Sequence, residues 1–233
     1  MAFSPRGVPG AQARVERWGP QPSLDEARAR SVRQRSLFVA AARELATETG
    51  SAAFTVQQVV ARSGGSLKSF YRHFAGKDDL LAALLEEDIA VGALFLAEMI
   101  DTRGDPAERL EMWVCGLFDL LAAGDEGYVA VLVGEYQRLG QTRQAALERA
   151  VAPFVELLAA ELRAAVDAGA AHSPDPERDA RLVFDLMMAA IFAVVGGRDP
   201  RPPAEVARHV WAFTSRGLQA RPAGQPPPAG RRR

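Results

Sequence analysis

The residues of this chain best suited to chemistry on a partner molecule lie between Phe54 and Lys77. Five donor side chains cluster there: Lys68, Ser69, Tyr71, Arg72 and His73. Phe70 and Phe74 are four residues apart, so in a helix they share one face and leave the donors on the others. Arg and Lys can donate to guanine O6 and N7, and hydroxyl groups can donate to phosphates. The segment predicts a helix that packs through its aromatic residues and presents a basic surface to DNA.

The sequence around this helix predicts a helix–turn–helix. Thr55 suits an N-cap, and Gln58 follows three residues later, as in a capping box. We expect the first helix to begin at about Val56 and to end at Gly64, and Ser66 suits the N-cap of the second helix. A helical hairpin with a solvated charged face is the alternative interpretation. Caps, turn, apolar face and basic face agree within one short window, which favours DNA binding.

The run SLKSFYRHFAGKDDLL resembles the recognition helix and the following helix of TetR-type transcriptional regulators, and FTVQQVVARSG fits the helix before it. The resemblance is specific over about residues 30–90 and architectural beyond them. Two residues depart from the family pattern. Gly65 replaces the usual apolar turn residue, which we expect to remove a packing contact and loosen the turn. Val60 replaces the usual alanine, which we expect to alter the helix spacing slightly.

The resemblance implies DNA-binding roles for individual residues. Those that match contacts to the phosphate backbone are Thr55, Ser69, Tyr71 and Lys77. Those that match positions facing base edges or flanking phosphates are Leu67, Lys68, Arg72 and His73. Gln57 matches a residue that reaches DNA from the preceding helix. The cap residue Ser66 belongs to the same predicted surface.

Charge is distributed unevenly along the 233 residues, although the formal net charge is only −1. Residues 1–80 carry 12 Lys and Arg against 7 Asp and Glu, whereas residues 81–220 carry 12 against 22. A basic head on an acidic body suits a protein that approaches a polyanion in one orientation. Both lysines of the chain, Lys68 and Lys77, lie in the segment predicted to face DNA, although two lysines can also fall together by chance.

Other features of the sequence argue against a disulfide-stabilised protein, a membrane protein and an enzyme. The single cysteine, Cys115, rules out an internal disulfide framework, and we expect it to be a small core residue. No run reaches ~18 apolar residues and the N-terminus lacks a signal-peptide core, so we expect a cytoplasmic protein without a membrane segment. The histidines lack metal-ligand spacing and no phosphate-binding glycine loop is present, so we predict no metal, cofactor or catalytic residue. Dispersed catalytic groups that converge in the fold remain the enzyme alternative.

Chain breakers and apolar periodicity predict an all-α protein of about nine helices. The expected parts are a flexible arm (1–24), a helix–turn–helix domain (25–76), a helical effector-binding and dimerisation domain (77–220) and a disordered tail (221–233). The first helix should end at Gly50 and turn five residues inward: Leu37, Phe38, Ala41, Ala42 and Leu45. A linking helix should run from about Lys77 to near Thr102. Gly92 within it permits a bend or accommodates packing.

The body should continue with helices over about 106–121, 127–139, 142–168, 176–195 and 203–218. Pro153 should kink or split the third of these. The resemblance implies that the middle helices surround an effector pocket, although plain core is the alternative. The candidate wall residues are Met99, Trp113, Leu117, Phe118, Tyr128, Leu132, Glu135, Tyr136 and Phe154. Glu135 is either solvated or faces a cationic or hydroxylated ligand, and the rest of the set favours an apolar or aromatic effector.

The helix over 176–195 is apolar around most of its circumference, which is more than one contact face requires. The resemblance implies that it forms a four-helix dimer interface together with the last helix, whereas the alternative is a central core helix of a monomer. The interface candidates are Leu182, Leu186, Met187, Ile191, Val206, Val210 and Phe213. The resemblance as a whole implies a homodimeric repressor that binds a palindromic operator in double-stranded DNA and is released by a small-molecule effector. A DNA-binding dimer without an effector is the alternative.

Overall fold

The computed structural model describes residues 24–100 and 104–219, which form nine α-helices and no strand within those ranges. The helices are α1 (Leu24–Thr49), α2 (Val56–Ser63), α3 (Leu67–His73), α4 (Lys77–Met99), α5 (Pro106–Ala123), α6 (Glu126–Gly140), α7 (Gln144–Asp167), α8 (Pro176–Val195) and α9 (Pro203–Gly217). The predicted all-α class is confirmed. The predicted arm and tail lie outside the described residues, apart from Leu24, which begins α1.

The three N-terminal helices pack around Phe38 of α1, which is completely buried. The rings of Phe70 and Phe74 meet the Phe38 ring edge-on, at centroid distances of 5.4 and 6.3 Å. Such aromatic pairs add about 0.5–1.5 kcal/mol each beyond the burial of their area. Val59 of α2 and Leu80 of α4 complete this core without exposure to solvent. The face of α3 that carries Phe70 is therefore fixed in this core. We call α1, α2 and α3 the reading head.

The predicted caps of the head are present. Thr55 Oγ1 accepts from the Gln58 backbone N–H at 3.2 Å, and Gln58 Oε1 accepts from the Thr55 backbone N–H at 2.7 Å. Gly64 ends α2 with φ 65°, a left-handed conformation that glycine adopts without strain. Ser66 caps α3 by accepting from the Ser69 N–H at 3.1 Å. Both helices therefore begin and end where local chemistry satisfies their free backbone groups.

Helix α4 connects the head to the body. Its first turns belong to the core of the head, and its later turns pack against α7 and α5. Two residues of α6, Val131 and Leu139, are also buried in the core of the head. The head therefore rests on α6 as well as on α4, and its core extends past residue 76, the predicted domain boundary. In the body, α5 packs against α7 and α9 around Trp113 and Phe184.

Several sequence expectations differ from the structure. Leu37 was expected to face inward but is 50% exposed, because the core-facing edge of α1 runs through Phe38 and Ala41. Pro153 does not split α7, which is continuous through it. Proline leaves the carbonyl four residues earlier, that of Arg149, without its helical donor. Both residues are exposed, so water can satisfy that carbonyl.

Gly65 does not loosen the turn between α2 and α3 as expected. A Cβ atom there would lie 2.7 Å from both Cε1 and Cζ of Phe38. The turn packs directly on this buried ring, so glycine permits the close approach. Cys115 is partly buried beside the core of the body, where burial raises the pKa of its thiol to about 11. Within the described residues, no helix has both the length and the apolar character to cross a membrane.

Candidate nucleic-acid interface and ligand cavity

The outer face of α3 carries two cations that are free to meet a polyanion. Lys68 and Arg72 are exposed and lie one helical turn apart. Within the part of the chain that the structure describes, no carboxylate forms an ion pair with either of them. Arg72 Nη2 donates to Ser69 Oγ at 3.1 Å, which orients the guanidinium along the helix. The exposed Tyr71 ring packs edge-on against Phe70 at 5.4 Å, which holds its hydroxyl at the outer surface.

The starts of α2 and α3 contribute further exposed residues. Thr55, Gln57, Ser66 and Leu67 are all exposed there. The Thr55 hydroxyl is engaged within the protein, because it accepts the capping bond and donates to Gln58 Oε1 at 3.1 Å. The Ser66 oxygen accepts one capping bond, so its hydrogen is available to a phosphate.

The sequence predicted His73 on the outer face of α3, but the residue lies at the inner edge of the helix. Its ring centroid lies 6.3 Å from that of Phe38 and 6.4 Å from that of Phe74. Its Nε2 is buried without a hydrogen-bond partner among the described residues. Burial lowers the pKa of His73, and the charges of Arg72 and Arg35 lower it further. The imidazole is therefore neutral near pH 7 and offers no charge to a phosphate.

Lys77 opens α4 at the border of the head. Its ammonium lies 5.0 Å from the centroid of the Phe54 ring, a cation–π contact that holds it near the start of α2. The two acidic residues that follow pair with the body. Asp78 meets Arg138 of α6 at 2.7 Å, and Asp79 meets Arg143, before α7, at 2.5 Å. The first turn of α4 is thus fixed to the body by two ion pairs.

A cavity of about 370 Å³ lies among helices α4 to α8. Its wall is almost entirely apolar. The predicted residues that line it are Leu117, Tyr128, Leu132, Tyr136 and Phe154. From α4 the sequence predicted only Met99, and it missed the six residues of this helix that line the cavity, namely Leu85, Asp88, Ile89, Val91, Gly92 and Phe95. The available signal was that apolar residues cover more of α4 than one packing face needs.

Four predicted wall residues lie elsewhere. Trp113 and Phe118 are buried in the core of the body and do not line the cavity. Met99 is 47% exposed at the end of α4. Glu135 pairs with Arg138 at 2.7 Å and does not face the cavity. Helical periodicity shows which face of a helix is apolar, but it does not show whether a neighbouring helix or an empty volume lies opposite.

One end of the cavity is polar and is formed by three helices. Arg43 of α1 donates to Asp88 Oδ1 of α4 from Nε at 3.0 Å and from Nη2 at 2.7 Å. The hydroxyl of Tyr128, on α6, donates to Asp88 Oδ2. All three side chains line the cavity, and we call them the polar node. Burial raises the pKa of the Tyr128 phenol, and the neighbouring Asp88 raises it further, so the phenol is neutral at pH 7.

The second tyrosine of α6 lies two turns further along the same wall. The Tyr136 ring packs 5.7 Å from the Phe192 ring, and burial raises the pKa of its phenol. Its hydroxyl makes no hydrogen bond to any described residue. The eight residues that separate Tyr128 from Tyr136 correspond to about 12 Å of helix. The cavity thus has a bonded hydroxyl near the head and a free hydroxyl nearer α8.

Four dimer-interface candidates are buried within the single chain. Met187, Ile191, Val206 and Val210 are at most 5% exposed, because those faces of α8 and α9 pack on the body. The structure therefore contradicts their assignment to an interface. The exposed candidates are Leu182, Leu186 and Phe213. These three lie on the outward sides of α8 and α9, where a second chain could contact them.

Two families match parts of the sequence. The family described as bacterial regulatory proteins, tetR family, matches residues 38–84. The C-terminal domain of AefR-like transcriptional repressors matches residues 127–214. The first match covers α2, α3 and the first turns of α4, and the second covers most of α6 through α9. No curated protein sequence matches the chain.

Solved structures share the fold at low sequence identity. FadR from Thermus thermophilus, in complex with lauroyl-CoA, is 21% identical with a TM-score of 0.65, over 83% of this chain and 100% of that chain. FadR from Bacillus subtilis, in complex with stearoyl-CoA, is 18% identical with a TM-score of 0.65, over 78% and 98%. RolR in complex with resorcinol is 17% identical with a TM-score of 0.65, over 86% and 98%.

Proposed function

Since the chain belongs to the TetR family of bacterial regulatory proteins, we propose that it is a cytoplasmic repressor that binds duplex DNA and releases it when a small molecule enters the cavity. The observation that carries this proposal is the pairing, in one chain, of an unneutralised basic face on α3 with an apolar cavity whose wall includes α4. The cavity favours this function over a DNA-binding dimer without an effector. The matched families are regulators, which disfavours a helical enzyme.

The α3 face supports a division of labour among the DNA contacts. Lys68 and Arg72 project outward and are placed to read base edges in the major groove. Lys77 sits at the start of α4, beside the groove-facing helix, and suits a phosphate contact that fixes orientation without reading sequence. The hydroxyls of Ser66 and Tyr71 suit phosphates as well. The His73 ring packs near Phe38, which suits it to position α3, and its contact with DNA stays a prediction.

A homodimer would present two reading heads to one operator. The exposed apolar residues Leu182 and Leu186 of α8 and Phe213 of α9 suit contact with a second copy of the chain. A two-fold axis through such an interface relates the two α3 helices, so the operator would be a palindrome with half-sites one or more DNA turns apart.

Effector binding would act through α4. This helix supplies six residues to the cavity wall, and its first turn adjoins α3. An effector that favours one tilt of α4 changes the spacing of the two heads, whereas one that binds both tilts equally changes nothing. The two FadR structures hold acyl-CoA, whose acyl chain is apolar and whose CoA part is charged, and the RolR structure holds the aromatic molecule resorcinol. An apolar or aromatic effector is consistent with the wall of this cavity.

The proposal is tested by measuring DNA affinity by fluorescence anisotropy on a selected operator and on random duplex, at several salt concentrations. Arg72→Ala and Lys68→Ala should each lose about 1–3 kcal/mol of discrimination between the two duplexes. Lys77→Ala should weaken binding to both duplexes equally.

The matched control is Arg62→Ala. Arg62 is a cation of the reading head that already pairs with Glu48 at 2.6 Å and Glu44 at 3.3 Å, so its loss should change DNA affinity little. Equal losses on both duplexes for Arg72→Ala, Lys68→Ala and Lys77→Ala would contradict the division of labour. An absence of salt-sensitive DNA binding by the wild-type chain would contradict the function.

A further inference from the structure

We propose that the effector is a small, uncharged, largely apolar molecule with a hydroxyl group, and that this hydroxyl replaces Tyr128 as the donor to Asp88. The inference rests on the proposed function. It deepens that function by naming the class of ligand and the contact through which ligand binding reaches the reading head.

The volume of the cavity limits the size of the ligand. At ~30 Å³ for each water-sized group, 370 Å³ holds about twelve non-hydrogen atoms. An acyl-CoA molecule is several times larger, so most of it would lie outside the cavity. Apart from the polar node and Tyr136, the lining side chains are hydrocarbon or thioether groups. The body of a fitting ligand is therefore apolar.

The charges around the polar node favour an uncharged ligand. Arg43 bonds to Asp88 and lies 3.6 Å from Glu87, which in turn lies 3.2 Å from Arg35. These four groups form a balanced set of two positive and two negative charges. A ligand of either sign would leave one charge without compensation beside an apolar wall, which costs several kcal/mol. A neutral ligand leaves the balance intact.

A hydroxyl group can exchange with Tyr128 on Asp88 at little cost. Tyr128 and Asp88 both line the cavity, so a ligand there lies next to this hydrogen-bonded pair. The exchange replaces one O–H donor by another on the same carboxylate oxygen, with no proton transferred. Arg43 continues to bond to Oδ1. A ligand without a hydroxyl cannot supply this donor and leaves the node closed.

The exchange would couple ligand binding to the position of the reading head, because Asp88 connects three helices. It accepts from Arg43 of α1 and from Tyr128 of α6, and it belongs to α4. Without a ligand, Tyr128 of α6 is thus hydrogen-bonded to Asp88 of α4, the same residue that accepts from Arg43 of α1. A ligand that takes the Tyr128 position removes this hydrogen bond between α6 and α4 and attaches itself to α4, while the ion pair of Asp78 with Arg138 remains. At the level of Asp88, the position of α4 then depends on the ligand instead of on Tyr128.

The experiment measures binding of three probes to the full-length chain by isothermal titration calorimetry: 4-propylphenol, propylbenzene and 4-propylbenzoate. In Tyr128→Phe, the phenol should bind about 10-fold or more tightly than either other probe, because its hydroxyl gains a hydrogen bond to a charged group that no internal donor gives up. In wild type the preference over propylbenzene should be smaller, since Tyr128 loses the bond that the phenol gains. Tyr128→Phe should bind the phenol about 2- to 10-fold more tightly than wild type, since no internal donor has to be displaced.

The matched control is Tyr136→Phe, which removes the same atom from the same helix and the same cavity wall. It should leave the DNA affinity of the ligand-free protein unchanged, whereas Tyr128→Phe should lower it towards the value of phenol-bound wild type. Asp88→Asn serves as a second variant and should abolish the preference for the phenol over propylbenzene. It keeps the assay decisive if Tyr128→Phe does not fold.

The proposal is overturned if Tyr128→Phe binds the phenol with equal or lower affinity than wild type. It is also overturned if Tyr128→Phe binds propylbenzene or the benzoate as tightly as the phenol, or if wild type binds none of the probes. A different result would contradict the proposed function, namely that ligand-free wild type shows no salt-sensitive binding to duplex DNA. Wild type that binds DNA but none of the probes retains the function and loses this ligand class.

Discussion

Replacing Gly65 with alanine should destabilise the reading head by overpacking it. The added methyl carbon would lie 2.7 Å from Cε1 and Cζ of Phe38 and 3.1 Å from Nε2 of Gln34. Ordinary carbon contacts begin near 3.5 Å, so the methyl group and the ring must separate by nearly 1 Å. Phe38 is completely buried and its ring packs edge-on against Phe70 and Phe74, so moving the ring disturbs both of these contacts.

The change in the free energy of unfolding caused by Gly65→Ala follows from two opposing effects. An extra methyl group in a well-packed core costs about 1–3 kcal/mol. Alanine also reduces the conformational entropy of the unfolded chain, which stabilises the folded state by about 0.4–1 kcal/mol where alanine can adopt the native backbone angles. The φ angle of Gly65 is not positive, so that stabilisation is not offset by backbone strain. We expect a net loss of about 1–2 kcal/mol in the free energy of unfolding, measured by urea denaturation with circular dichroism.

The neighbouring glycine provides the control. Gly64 has φ 65°, and a methyl group there would meet no atom within 4 Å, so Gly64→Ala costs only backbone strain. In a Phe38→Leu background, which removes part of the ring, Gly65→Ala should lose about 1 kcal/mol of its cost, while the cost of Gly64→Ala should not change. Equal costs for Gly65→Ala in both backgrounds would refute the overpacking argument.

Three other perturbations test separate parts of the structure. Gly92→Ala would place a methyl group 3.1 Å from Leu120 Cδ2 and 3.2 Å from Phe154 Cζ, two side chains that also line the cavity, so calorimetry should show weaker binding of 4-propylphenol with DNA affinity retained. The backbone N–H of Ala75 and then Arg143 hold the pKa of Asp79 below its ordinary value of 3.8, so its carboxylate stabilises the fold above that pH. Wild type should therefore exceed Asp79→Asn in urea stability at pH 7, and the difference should shrink as the pH falls below that value. Glu161→Ala breaks a buried 2.6 Å ion pair with Arg109 and should cost about 3–5 kcal/mol by urea denaturation; a cost below 1 kcal/mol would contradict the buried-pair argument.

Local signals predicted the helices well, because caps and chain breakers act on their own neighbourhood. The bounds predicted for α8 coincide with the observed Pro176–Val195, where Asp175 caps the start and proline occupies the first turn. The capping box at Thr55 and the left-handed Gly64 were predicted for the same reason. Pro153 shows the limit, since a continuous helix can tolerate proline where the freed carbonyl faces water.

The site was less predictable, because it depends on which elements lie opposite one another. The polar node joins residues that are 45 and 40 positions apart, and no local pattern links them. His73 carried a donor at a helical position next to Arg72, yet it lies three residues after Phe70 and so shares the inner edge of α3. Met187 was apolar on an apolar helix, which fits a core and an interface equally well.

The most direct test of the central claim, that α3 reads a defined DNA sequence, is selection from a library of random-sequence duplexes by the purified chain, followed by sequencing. We predict an inverted repeat with half-sites about one or more DNA turns apart, and a different consensus at the contacted positions when Arg72→Ala is used. Recovered fragments without a shared sequence, or an unchanged consensus for Arg72→Ala and Lys68→Ala alike, would contradict the claim.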